Sequence, residues 1–227
     1  MFWALPLLIA TAAWSILMLK RREAHARRPA LRAPMLPLLR QHRARMVVLY
    51  YLFRVASSWL LIVWLSALLR RRGMPAIEAG LVLSLSTACQ IPSAMLTGII
   101  SHWLGGMGRL MSLASLAAII ACWGLLVLPL HWWLGFALLL GLGLGCIFSI
   151  GMTLIAATEP DEAGTIALSG LAQGIGFIGG GILAWLAGMS LLFPAPDLWI
   201  AGLYTLFTLT GLFFGLSACK PDARSRI

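Results

Sequence analysis

The stretch Met46–Leu69 reads MVVLYYLFRVASSWLLIVWLSALL, with Arg54 as its one formal charge. A helix that crosses a bilayer needs about 20 predominantly apolar residues. This stretch meets that length without a break. A strand of a transmembrane barrel would instead show weak alternation over about ten residues. The segment is therefore read as a membrane-spanning α-helix carrying a cation inside the apolar layer.

Working outward, six further stretches have the same character: Phe2–Leu19, about Ile77–Ile100, Leu110–Leu128, Trp132–Ala156, Ile166–Phe193 and Leu198–Cys219. The expected fold class is all-α, a polytopic transmembrane helix bundle of about seven spans. The long connection divides it. Residues 1–19 form a lone transmembrane helix, 20–45 a basic cytoplasmic linker, 46–219 a six-helix bundle and 220–227 a cytoplasmic tail. The connections after the linker are short, which makes successive helices antiparallel neighbours. The linker carries Pro29, Pro34 and Pro37 and has room for a short amphipathic helix around Met35–Arg40.

Composition supports this reading independently. Of 227 residues, 61% are apolar and 11% charged, and mean hydropathy is +0.94. Soluble domains carry about 25% charged residues. So few charges cannot cover a soluble surface, which excludes a soluble enzyme, a secreted disulfide scaffold and a disordered chain. The four cysteines, Cys89, Cys122, Cys146 and Cys219, show no C-x-x-C spacing and read as small apolar residues.

Net charge is +10, and nine of the 17 basic residues lie in Lys20–Arg45. Basic loops stay cytoplasmic. The linker and the tail Lys220–Ile227 are thus expected inside, and the N-terminus outside. Lys20, Arg21 and Arg22 follow the first apolar stretch rather than precede it, unlike a signal peptide. Arg70, Arg71 and Arg72 fall on the opposite side, against the rule. The linker lacks the interleaved aromatics of a nucleic-acid platform, so anionic lipid is its expected partner and nucleic acid is not.

The positions of the titratable groups limit the chemistry. All seven acids and all four histidines lie in loops or at span ends. Intramembrane hydrolysis by paired carboxylates or a metal therefore lacks its groups. No enzyme activity, metal or cofactor is implied. A loop cluster of Glu159, Asp161 and Glu162 is the one opening for catalysis, and it also reads as an acidic helix start.

Candidate binding residues are polar groups within spans. Arg54 sits eight residues into its span with no acid at its depth. Ser57 and Ser58 share its face at i+3 and i+4, and Tyr50 lies at i−4. One reading is a site where an anionic solute supplies the missing charge. The other is a side chain that snorkels to the interface or satisfies backbone carbonyls. In the third span Ser86, Gln90, Ser93 and Thr97 share one face, and Pro92 predicts a kink. In the sixth, Ser169, Gln173, Gly176 and Gly180 repeat that spacing. These stripes read either as cavity walls or as interhelical hydrogen bonds. The glycines of Gly141–Gly145 (GLGLG) and of the pairs Gly170/Gly174 and Gly176/Gly180 read as close helix packing.

Two segments then resemble a known family. WLSALLRRRGMPAIEAG (Trp64–Gly80) resembles the junction of the seventh and eighth helices in the cyanate/nitroimidazole transporter branch of the major facilitator superfamily. EPDEAGTIALSGLAQGIGF (Glu159–Phe177) resembles that branch's eleventh-helix entry. The resemblance implies that the seven spans match helices six to twelve of a twelve-helix transporter, the C-terminal half only. It implies transport of a small anion or small polar organic solute across a bacterial inner membrane. Arg54, Gln90 and Gln173 would then lie on cavity-lining helices, and a second bundle or a second copy would complete the pathway. Two departures stand out. Ser66 replaces a proline of the family pattern, and Ser101–Arg109 lacks the acid that latches that loop in relatives. The alternative class is a non-transporting scaffold, accessory protein or inactive transporter fragment.

Overall fold

The computed structural model describes residues 38–159 and 161–219. The expected first span, the tail Lys220–Ile227 and most of the linker with its Met35–Arg40 helix lie outside these residues. Among the described residues there are six long α-helices and no strand: α1 (His42–Arg71), α2 (Ala76–Trp103), α3 (Met107–Val127), α4 (Trp133–Ala156), α5 (Glu162–Ala187) and α6 (Pro196–Cys219). All six are long and apolar enough to cross a membrane.

The ends differ from the sequence-derived bounds for local reasons. Helix α1 begins at His42, within the expected linker, because Arg43 Nε donates to the Ala218 carbonyl at the end of α6 (3.2 Å). Helix α5 starts four residues early, at Glu162. Asp161 caps it by accepting the Gly164 N–H at 3.1 Å. The expected sixth span also ends sooner as α-helix: Gly188–Leu192 tightens into a 3₁₀ turn. Trp64 lies against Gly188 and donates its indole N–H to the Ala184 carbonyl at 3.1 Å, in the last turn of α5. Helix α2 runs continuously through Pro92.

Helix α1 packs against α5 and α6, α4 packs against α2 and α3, and α3 meets α6. Exchanging α1 with α4, α2 with α5 and α3 with α6 leaves this list of main neighbours unchanged. Short connections alternate the helix direction, so each exchanged pair is inverted. The six helices are therefore two inverted three-helix repeats.

Glycine permits the close contacts. A Cβ on Gly145 would meet the Gln90 carbonyl at 2.5 Å, and one on Gly143 would meet the Ala114 carbonyl at 2.7 Å. GLGLG thus presses α4 onto α2 and α3 in turn. Gly176 and Gly180 let α5 approach α1, where a Cβ on Gly180 would meet the Ala56 nitrogen at 2.8 Å. The expected Gly170/Gly174 contact does not form at Gly174, which faces open space. Helices α2 and α5 bury only 22% and 28% of their apolar windows, so they are the outer helices of the bundle.

The Arg70–Arg72 cluster finds its account here. Arg72 donates to the carbonyls of Leu125 (2.5 Å) and Leu128 (2.7 Å). It caps the C-terminus of α3, where carbonyls lack helical partners and a cation suits the dipole.

Candidate functional site

Tyr50, Arg54 and Ser57 occupy one side of α1 at helical spacing. The Tyr50 hydroxyl donates to the Ile147 carbonyl of α4 at 2.7 Å and fixes α1 against α4. Ser57 and Ser58 both donate to the Arg54 carbonyl, at 2.8 and 3.0 Å. Their hydroxyls return to their own helix, and Ser57 is buried while Ser58 is partly exposed.

Arg54 is partly exposed. Its guanidinium carbon lies 4.8 Å from the centre of the Phe148 ring and 5.7 Å from that of Tyr51. An aromatic face attracts a cation by its quadrupole and leaves the edge N–H groups free to bond elsewhere. Phe148 is itself 39% exposed. Among the described residues no carboxylate lies in the interior of any span. The cation is thus held by ring faces rather than by a fixed negative charge.

Beside it, Arg54, Ser57, Ser115, Tyr204 and Thr208 line a narrow cleft between α1, α3, α4 and α6. Its free space is on the order of one water molecule. Tyr204 and Thr208 are 0% and 7% exposed, and neither hydroxyl closes a hydrogen bond of ordinary geometry.

The remaining candidates divide. Ser86 donates to the Val82 carbonyl and to the Ala137 carbonyl of α4 (3.0 Å); Ser93 donates to the Leu142 carbonyl (2.6 Å) and meets Cys146 Sγ at 3.2 Å. Both are buried, as is Thr97, whose hydroxyl donates to Ser93 within α2. Of the two readings of this stripe, interhelical hydrogen bonding describes Ser86 and Ser93, and neither lines the cleft. Gln90 is partly exposed, with its backbone pressed on Gly145. On α5, Gln173 Nε2 donates to Ser169 Oγ at 2.9 Å, and both side chains are partly exposed. Arg54 and Ser57 thus share one cleft, while Ser86 lies apart from it. Sequence reading passed over Ser115, Tyr204 and Thr208. The i, i+4 spacing of Tyr204 and Thr208 was the available signal, obscured by the apolar residues around it.

At the α4–α5 loop the Glu159 side chain is buried, and its Oε1 has no partner. Burial pushes its carboxyl above the ordinary 4.5. Asp161 adds to the shift, and a hydrogen bond from the Gln41 side chain opposes it. The α2–α3 loop turns through Gly105 and Gly106, at φ +72° and +132°. In place of the missing acid, Arg109 donates to the Leu104 carbonyl at 3.4 Å.

The family model described as Major Facilitator Superfamily matches residues 1–183. The chain belongs to the major facilitator superfamily. The inverted three-helix repeats agree with this, since such repeats are nested within each half of these transporters. The chain is 28% identical over 190 residues to "Cyanate transport protein CynX" of Escherichia coli (strain K12), a match over 83% of this chain and 48% of that protein. It is 31% identical over 119 residues to "Uncharacterized transporter YycB" of Bacillus subtilis (strain 168), over 52% of this chain and 29% of that protein. The matches therefore span about half the length of one relative and less of the other. No solved structure matches the chain at the same stringency.

Proposed function

We propose that this bundle is the solute-binding half of a transporter that moves a small anion, or a small polar organic solute, across a bacterial inner membrane. The observation that carries the reading is the Arg54 guanidinium, held on the Phe148 and Tyr51 rings without a carboxylate at its depth. Burying a cation in hydrocarbon costs several kcal/mol on most scales. A solute anion lowers that cost when bound and is released when the surroundings change. Binding in one conformation then shifts the population of the other.

Gln173, with Ser169, and Gln90 are the partners proposed to hydrogen-bond the solute's polar atoms. Ser57 and Ser58 shape the Arg54 face through its carbonyl. The printed name of the Escherichia coli relative supplies the first solute to try, cyanate. Alternating access in this superfamily rocks two bundles about a midplane site. A second bundle, in the same polypeptide or a second copy, is the proposed partner, beside the lipid. The basic residues before α1 favour a cytoplasmic start of that helix and a cytoplasmic C-terminus.

The test is uptake of labelled cyanate by proteoliposomes holding the chain, beside Arg54→Gln. Uptake that falls at least tenfold in Arg54→Gln supports the reading. Equal uptake in the two, or none above empty liposomes from folded protein, overturns it.

A further inference from the structure

We propose that the cleft between α1, α3, α4 and α6 is a binding site for one small monovalent anion of halide class, distinct from the solute's place on the open face of Arg54. Tyr204 and Thr208 are buried, line this cleft and have hydroxyls without hydrogen-bond partners. Buried polar groups in native structures are satisfied, by protein, water or an ion. The site therefore has an occupant.

Size and charge narrow the choice. The free space is of single-water order, which excludes an organic solute. The lining carries a guanidinium and hydroxyls and no carboxylate. A metal cation would find no negative ligand and would be repelled by Arg54. A water would satisfy the two hydroxyls but would do nothing for the cation. A halide accepts from both O–H groups and lies in the field of Arg54, whose charge counts for more in a low-dielectric interior. Because α1 and α6 both line the cleft, the anion would bridge them and stabilise their packing. It would act as a resident ligand, with no bond made or broken.

The experiment uses the purified full chain in detergent. Chloride is raised against gluconate at constant ionic strength, and the unfolding midpoint is followed. The chain as it stands, Tyr204→Phe, Thr208→Val and Arg54→Gln are compared. The expected result is a saturable rise in the midpoint with chloride, lost or strongly weakened in Tyr204→Phe and Thr208→Val. Broadening of the ³⁵Cl resonance by the unsubstituted chain, reversed by bromide, gives a readout that needs no variant to fold. No saturable shift and no broadening mean that water fills the cleft, and the proposal fails. A chloride response unchanged in both hydroxyl variants overturns it equally. The transport reading fails separately: a chloride signal with cyanate uptake indifferent to Arg54→Gln sinks that reading and leaves this one standing.

Discussion

The guanidinium carbon of Arg54 stands 4.8 Å from the centre of the Phe148 ring, so α1 presents its one interior cation to an aromatic face of α4. A ring neutralises nothing; it attracts the cation without holding its N–H groups. Arg54→Lys keeps the charge and loses the planar fork that grips an anion at two points. Cyanate uptake by Arg54→Lys is expected to fall between that of the unsubstituted chain and that of Arg54→Gln. Phe148→Leu is expected to cost about 0.5–2 kcal/mol of stability, read as a lower unfolding midpoint. Initial rates and thermal melts check both.

Glycine substitutions are expected to separate contact from open surface. A Cβ on Gly145 meets the backbone of Gln90 at 2.5 Å, which cannot move without shifting α2. Gly145→Ala is expected to destabilise by about 1–3 kcal/mol. Gly174 has nothing within 4 Å, so Gly174→Ala is expected to be neutral or stabilising by up to about 1 kcal/mol through helix propensity. Unfolding in mixed micelles distinguishes the two.

Removing the cap on α3 is the third case. Arg72 donates to the Leu125 and Leu128 carbonyls. Arg72→Ala is expected to cost about 1.5–3 kcal/mol, the range for hydrogen bonds to a charged group. Arg70→Ala, at an exposed site, is expected to stay within about 0.5 kcal/mol. Midpoints compared across the two variants test the difference.

The pH dependence follows from Glu159. Its folded-state pKa is raised, so the folded chain holds the proton more tightly than the unfolded one. The stability this contributes is present below the unfolded value of about 4.3 and is lost as pH rises through the raised folded value. Glu159→Gln removes the titration. It is expected to raise the unfolding midpoint more at pH 7.5 than at pH 4.5. An equal shift at both pH values would rule Glu159 out as the source.

The six helices of the bundle were legible because each needs only length and apolarity, and Met46–Leu69 or Leu110–Leu128 supply both in one run. Their ends were less so. His42, Arg43 and Arg45 are polar, and only the Arg43 contact with Ala218 explains a helix that starts among them. Ser86 and Ser93 show why the site was harder. A serine stripe that meets a neighbouring carbonyl and one that lines a cavity have the same period, and only the depth of GLGLG on α4 separates them. Arg72 was opaque for a similar reason, since its partners lie more than fifty residues away. Arg54 drew attention from sequence alone because a lone cation in an apolar run is costly wherever it points; that it meets Phe148 required the fold.

The most direct measurement is the accessibility of position 54. With Cys89, Cys122, Cys146 and Cys219 replaced by serine, Arg54→Cys is exposed in intact membranes to a charged, membrane-impermeant thiol reagent, with and without cyanate. A position facing an aqueous solute pathway is expected to react and to be protected by cyanate in a saturable way. Failure of the folded, inserted variant to react, or reaction that cyanate leaves unchanged, would contradict the placement of a solute at Arg54.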